Sequence, residues 1–211
     1  RIKDCLKKCR YYDIDRIDIK SIFKKHKINF VINTVTNYGR KDTNILSIVD
    51  TNLVFGLKLL QESVSHNIEA YINTDTLLDK NVNSYTLSKS QLVDWMKILS
   101  TQNTKMINIK IEHIYGALDD ENKFIYWIIN QLRGNVERID LTSGIQKRDF
   151  VYISDVVSAY KLVILNIDKI NNYEEFELGN GKSIKVKTFL NMLFKELSKT
   201  QAIQTVLNFG A

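Results

Sequence analysis

The stretch AYINTDTLLDKNVNSYTLSK, Ala70 to Lys89, decides how this chain is read. Its first residues, Ala70 to Asn73, form a short β-rich run, Thr74 stands at the end of that strand, and Asp79 to Ser84 is a polar loop. From Tyr85 to Ser100 the apolar pattern turns helical. Residues four apart on a helix share a face, so Lys89 lies one turn beyond Tyr85. An ammonium beside a phenol stabilises the phenolate and is expected to lower the tyrosine pKa towards neutrality. A phenol tuned in that way gives or takes a proton at a carbonyl or an alcohol. A Thr74 hydroxyl at the carboxyl edge of its strand, where α/β proteins build their sites, is expected to hydrogen-bond the same oxygen. Tyr-x-x-x-Lys alone is a common helical spacing; the threonine-bearing strand ahead of it is what gives it weight.

Working outward, the same alternation continues on both sides. Ile19 to Lys27 is helical, Asn29 to Val35 is a short strand, and Asn44 to His66 carries apolar residues at Ile45, Ile48, Val49, Leu53, Leu57 and Leu60 with a helical period. Met106 to Tyr115 alternates as a strand. The β-α-β-α-β order predicts a parallel sheet with helices on its faces. After Gly116 the texture changes: a polar turn at Asp119 to Asn122, a helix over Phe124 to Leu132, and a strand-like stretch from Val136 to Ile153 with a turn at Thr142 to Gly144. Val156 to Leu165 is helical, Phe176 to Leu178 a short strand, and Val186 to Leu197 a last helix. The expected architecture is α/β: a Rossmann-like body over 1–115 and a smaller mixed lobe over 116–211, with about 148–166 returning to the body.

Composition narrows the function classes. Of 211 residues, 44% are hydrophobic and 26% charged, which is ordinary globular usage. No apolar run reaches the ~20 residues of a membrane span, and Arg1 to Arg10 lacks the apolar core of a secretory signal. A soluble, cytoplasmic protein with no membrane partner is expected. The net charge of +6 comes from lysines spread along the chain, without the clustered patch or aromatic platform of a nucleic-acid binder. Cys5 and Cys9 are read as ordinary reduced thiols, and no metal site is expected, because no further Cys or His pair completes a tetrahedral set. There is no proline, so turns must rely on Gly, Asn and Asp.

With these segments placed, the chain resembles the extended short-chain dehydrogenases/reductases that act on nucleotide sugars. Val31 to Thr36 stands where that family has a His-Leu-Ala-Ala-like strand end. Asn52, Gly56 and Leu59-Leu60 match its Asn-x-x-Gly helix, Ile72 to Asp75 its Ser/Thr strand, and Tyr85 to Lys89 its Tyr-x-x-Ser-Lys. Ile114-Tyr115-Gly116 matches Val-Tyr-Gly, and Arg148 to Val156 matches Arg-Asp-Phe-Val-Tyr-Val-Asp-Asp-Val. Glu112 to Gly116, Asp120 to Ile125, Gly144 to Phe150 and the final Asn208 to Ala211 bring it nearest to the CDP-sugar reductases of O-antigen synthesis.

The resemblance implies an NAD- or NADP-dependent enzyme on a nucleotide-diphosphate sugar, with Thr74, Tyr85 and Lys89 catalytic. It implies that Lys89 also holds the nicotinamide ribose, and that Asp13, Ile14, Thr34 and Asn52 lie around the cofactor. Arg148 is expected at the diphosphate (the alternative is a surface ion pair). Asp75, His113, Asn122 and Lys123 are expected near the sugar nucleotide, with a core histidine and a solvated turn as the rival readings. Thr76 replaces the glutamate that dehydratases carry after Asp, which favours a 4-ketoreductase or 4-epimerase over dehydration. Ala117 stands for the usual proline and Asn33 for the usual histidine. No glycine-rich turn for the pyrophosphate is present. The chain is therefore expected to lack its first βα unit, with about 40–60 residues missing upstream, comparable to a βαβ unit, and to be cut at its far end as well. A non-catalytic sugar-nucleotide-binding remnant is the alternative from another class. Family members pair as homodimers through a four-helix bundle, here the helices at Asn44–His66 and Tyr85–Ser100.

Overall fold

The structure is a computed structural model and describes residues 8–40, 43–100 and 103–210. Cys5 lies outside the described residues, and Cys9 is an exposed thiol. The chain divides into two units, Arg1–Ile111 with Tyr160–Glu177, and Glu112–Ala159 with Leu178–Ala211. The segment that returns to the first unit is thus 160–177, later than the 148–166 expected. The reason is that strand Phe150–Tyr152 pairs with His113–Tyr115 inside the second unit.

The first unit is built on a parallel sheet. Its strands are β1 (Phe30–Asn33), β2 (Ala70–Thr76), β3 (Lys105–Ile111) and, in sequence much later, β8 (Tyr173–Leu178), in the order β1-β2-β3-β8. The pairings β1–β2 and β2–β3 are parallel. The expected parallel sheet is therefore present. Helix α1 (Ile19–Lys25) starts where the Asp18 carboxylate accepts from the Lys20 N–H, satisfying a donor the helix leaves free. The long helix expected over Asn44–His66 is α2 (Ile45–Val49) and α3 (Phe55–Ser65), joined by a π-helical turn over Asp50–Val54. Its cap is His66, and the next residue, Asn67, has φ 48°, a left-handed position that asparagine tolerates. Helix α4 (Ser84–Leu99) opens on a capping box between Asn83 and Thr86. Ile19, Phe23, Val31, Leu60, Tyr71, Leu92, Met96 and Met106 form the core of this unit.

The second unit carries short strands only. β4 (His113–Tyr115) pairs in parallel with β7 (Phe150–Tyr152), and β5 (Arg138–Leu141) pairs in parallel with β10 (Val206–Phe209). β6 (Lys147–Arg148) pairs antiparallel with β9 (Ile184–Lys185). Helices α5 (Phe124–Arg133) and α7 (Val186–Leu197) supply Ile128, Leu132 and Leu190 to a core with Ile139, Leu141 and Phe150. Phe150 stacks on Phe189 at 3.9 Å. Helix α6 (Ile153–Leu165) starts in this unit and carries the chain back to the first. Among the described residues no helix is long and apolar enough to cross a membrane.

Helices α3 and α4 meet where Gly56 leaves room for Leu92: a Cβ at Gly56 falls 2.5 Å from Leu92 Cδ2, and Leu92 is fully buried. Gly56→Ala gains about 1 kcal/mol of helix propensity but overpacks a filled contact, at a cost of about 1–3 kcal/mol. The expected net is a loss of roughly 1 kcal/mol in urea denaturation. A stability gain would show instead that Leu92 yields freely.

Candidate active site

The capping box of α4 fixes the first helical turn, and that turn carries Tyr85. Tyr85 is 9% exposed and Lys89, one turn on, is 2% exposed. The Tyr38 ring packs on Tyr85 with centroids 5.0 Å apart. Burial dominates the phenol: it pushes the Tyr85 pKa up to about 12, and the Tyr38 phenol and the Asp75 carboxylate push the same way. The Thr76 and Thr36 hydroxyls oppose the rise. Thr36 Oγ1 is nevertheless buried without a partner at hydrogen-bonding geometry. The expectation that Lys89 lowers the Tyr85 pKa towards neutrality is thus corrected, because desolvation outweighs every group that favours the phenolate. Lys89 is itself lowered by burial, with the Asp75 charge working to keep it an ammonium.

Thr74 and Thr76 lie on one face of β2, since strand residues two apart share a face. Their hydroxyls have different neighbours. Thr74 Oγ1 is 2.6 Å from the buried Tyr160 phenol of α6, while Thr76 is the β2 threonine that bears on Tyr85. From sequence Thr76 is noted only as the replacement of a glutamate; its place two residues past Thr74 on a strand is the signal for a role beside Tyr85.

Asn52 sits in the π turn, 1% exposed. Its Oδ1 accepts from the Asn37 N–H at 2.7 Å, and its Nδ2 donates to the Asn37 carbonyl at 2.9 Å and to Ser88 Oγ at 3.1 Å. The loop after β1, which bears Thr36 and Tyr38, is so clamped to α4 between Tyr85 and Lys89. A widened helical turn that aims one polar side chain is a common device at functional sites. Thr34 is exposed on the same loop. Asp13 and Ile14 form a surface turn, with Asp13 paired to Arg16 at 3.4 Å and Ile14 48% exposed. Asp75 is 9% exposed, and its Oδ2 accepts from Asn108 Nδ2 at 3.0 Å.

The remaining candidates belong to the second unit. His113 on β4 is 3.5 Å from Glu112 and packs edge-on against Phe150. Asn122 donates through its backbone and side chain to Asp120, and Lys123 pairs with Asp119 at 2.9 Å. These contacts stabilise a polar turn that follows Leu118, held at φ 62°. Arg148 is exposed on β6 and donates to the Lys147 carbonyl at 2.7 Å. Its neighbour Asp149 was not singled out in the sequence, yet it is buried and accepts from the Asn180 and Gly181 N–H groups at 3.0 and 2.7 Å. A Cβ at Gly179 would fall 2.6 Å from the same carboxylate. Among the described residues no cluster of His, Cys, Asp and Glu suits a metal ion.

The chain is similar to several known proteins. A CDP-abequose synthase of Salmonella muenchen is 32% identical over 207 residues, covering 94% of this chain and 67% of that protein. The CDP-abequose synthase of Salmonella typhimurium is 28% identical over 86% of this chain and 62% of its own length, so the chain spans about two thirds of these relatives. Among solved structures, MoeE5 in complex with UDP-glucose and NAD superposes with a TM-score of 0.78 at 18% identity, over 96% of this chain and 71% of that one. UDP-glucose 4-epimerase from Thermotoga maritima, with UDP-glucose, gives 0.74 at 20% identity, over 90% and 66%. These likenesses establish a Rossmann-like α/β fold. Residues 3–179 match the NAD dependent epimerase/dehydratase family, and the chain belongs to it.

Proposed function

We propose that this chain carries the proton-transfer half of an NAD(P)-dependent nucleotide-sugar 4-ketoreductase that serves O-antigen deoxysugar synthesis. The observation that carries this reading is the buried Tyr85–Lys89 pair, with a phenol held protonated by burial. A phenol whose pKa is pushed up to about 12 is an acid at neutral pH, suited to protonating a carbonyl oxygen as it becomes an alkoxide. Thr76 orients that phenol, Asn52 holds the loop that covers it, and Lys89 supplies the positive charge that stabilises the phenolate left behind. The likeness to CDP-abequose synthases supports reduction of a CDP-linked 4-keto sugar. A 4-epimerase is the second reading, since the same residues serve it. The missing carboxylate at Thr76 weighs against dehydration.

The described residues fit the nicotinamide end of a dinucleotide: Lys89 offers an ammonium and Thr36 Oγ1 a buried hydroxyl that lacks a partner. When bound, the cofactor supplies the hydride of the reduction. Arg148, exposed and forked, suits the diphosphate of the sugar nucleotide. Asp75, His113, Asn122 and Lys123 remain our proposal for contacts to the sugar nucleotide. A homodimer is supported by apolar residues exposed on α2 and α4, Ile45 at 62%, Leu46 at 71%, Trp95 at 46% and Ile98 at 74%.

Incubating the full protein with a CDP-4-ketohexose and reduced nicotinamide cofactor should consume the cofactor in step with product. Turnover without net consumption would point to the epimerase. Tyr85→Phe should lower kcat by about 10²–10⁴-fold while substrate still binds. Alkaline difference spectra of parent against Tyr85→Phe should show a phenol ionising near pH 12. Because the folded pKa lies above the unfolded one, the stability tied to this proton is intact below about pH 10 and is lost as pH rises through about 12. A midpoint below 10 would mean that Lys89, not burial, governs Tyr85. Ile98→Asp should convert a dimer to a monomer in sedimentation; unchanged mass would remove α4 from the interface.

A further inference from the structure

Three strands of the first unit repeat one dipeptide: Ile32-Asn33 in β1, Ile72-Asn73 in β2 and Ile107-Asn108 in β3. The register sets the asparagines side by side, Asn33 opposite Asn73 and Asn73 opposite Asn108. They are 2%, 0% and 0% exposed. Asn33 Nδ2 donates to Asn73 Oδ1 at 3.3 Å, Asn73 Nδ2 to Asn108 Oδ1 at 2.9 Å, and Asn108 Nδ2 to Asp75 Oδ2 at 3.0 Å.

The direction of this ladder is forced. An ionised carboxylate only accepts, so Asn108 must turn its NH₂ towards Asp75, which leaves its carbonyl for Asn73 and so on back to Asn33. Aligned donors polarise one another, so the run holds more firmly than its separate bonds would. At its other end, Asn33 Oδ1 accepts the Val35 N–H at 3.2 Å, and Asn33 Nδ2 donates to the Tyr71 hydroxyl at 3.0 Å. Val35 opens the loop that carries Thr36 and Tyr38 to Tyr85. The charged group that acts on Lys89 is Asp75 from β2, and Tyr38 packs on Tyr85, one helical turn before Lys89.

We propose that the Asn33–Asn73–Asn108 ladder is a positioning device, which holds the Asp75 carboxylate, the charge that acts on Lys89, in one orientation and ties it to the loop bearing Thr36 and Tyr38. Asn73 and Asn108 are then positioning residues that act through Asp75. The proposal rests on the reading of Tyr85 and Lys89 as the proton-transfer pair. It goes beyond satisfaction of buried amides, which needs no effect on Lys89.

The test follows the Lys89 Nζ resonance by ¹⁵N NMR through a pH titration of the full protein. Replacing both amides together, Asn73→Leu with Asn108→Leu, avoids leaving one of the pair without the other. The expected result is a Lys89 titration moved down by about a pH unit, a tenfold weaker hold on the proton, with kcat falling and KM little changed. Asp75→Asn, which keeps the shape and removes the charge, should lower the Lys89 titration by itself, and keeps the test open should the double variant not fold. In the Asp75→Asn background the leucine pair should shift Lys89 no further. An unmoved Lys89 in Asp75→Asn, or a full shift from the leucine pair without Asp75, overturns the proposal. If the parent turns over no CDP-4-ketohexose while the Lys89 shifts appear, the reductase reading fails and the ladder's coupling to Lys89 stands.

Discussion

A buried primary amide must find partners or cost about 1–3 kcal/mol for each group left unmade. In the first unit that constraint acts at one level of the sheet, where Asn33, Asn73 and Asn108 all lie below 3% exposure. Sliding one strand by a single residue would bring an isoleucine or a threonine to that level and take its amide away from its partners. The ladder therefore enforces the strand register more sharply than the surrounding aliphatic core does, because apolar contacts tolerate exchange and a hydrogen bond does not. With the register set, Thr74 and Thr76 share a face of β2, and Asn73 and Asp75 take the other.

Two opposed effects meet at Tyr85. The Thr76 and Thr36 hydroxyls favour the phenolate and burial opposes it. A rise from 10 to about 12 corresponds to roughly 3 kcal/mol in favour of the neutral phenol. Thr76 and Thr36 do not overcome that margin. The same burial lowers Lys89, and only the Asp75 charge resists it. Asp75 thus does two things at once: it makes the phenol harder to ionise and the lysine easier to keep charged. The first leaves the proton on Tyr85.

Much of this was legible in the residues. Helical periods in Ile19–Lys27, Asn44–His66 and Val186–Leu197, and the β-rich runs at Phe30, Ala70 and Met106, give the elements of the sheet and its helices. The Tyr85–Lys89 spacing is local, so it reads directly. Less legible were features that depend on a distant partner. The π turn at Asn52 exists because Asn37 and Ser88 bind it, and β10 is a strand only because β5 lies beside it. The choice of Thr76 over Thr74 at the phenol turns on Tyr160, far along the chain, which takes up the Thr74 hydroxyl. The repeated Ile-Asn dipeptide was in plain view, but its meaning needed the register.

The second unit solves a different problem with the same economy. Strand-like alternation sends Asp149 inwards and Arg148 outwards. The buried Asp149 carboxylate gathers the Asn180 and Gly181 N–H groups, and Gly179 has no room for a side chain against it. One turn is in this way locked to the strand immediately beside Arg148. An exposed guanidinium gains little from being held by its own long and mobile stem. It gains from a backbone that does not move, and the aspartate next to it supplies that. The Arg-Asp dipeptide is divided between two environments: Arg148 is exposed, and Asp149 fixes the strand beside it.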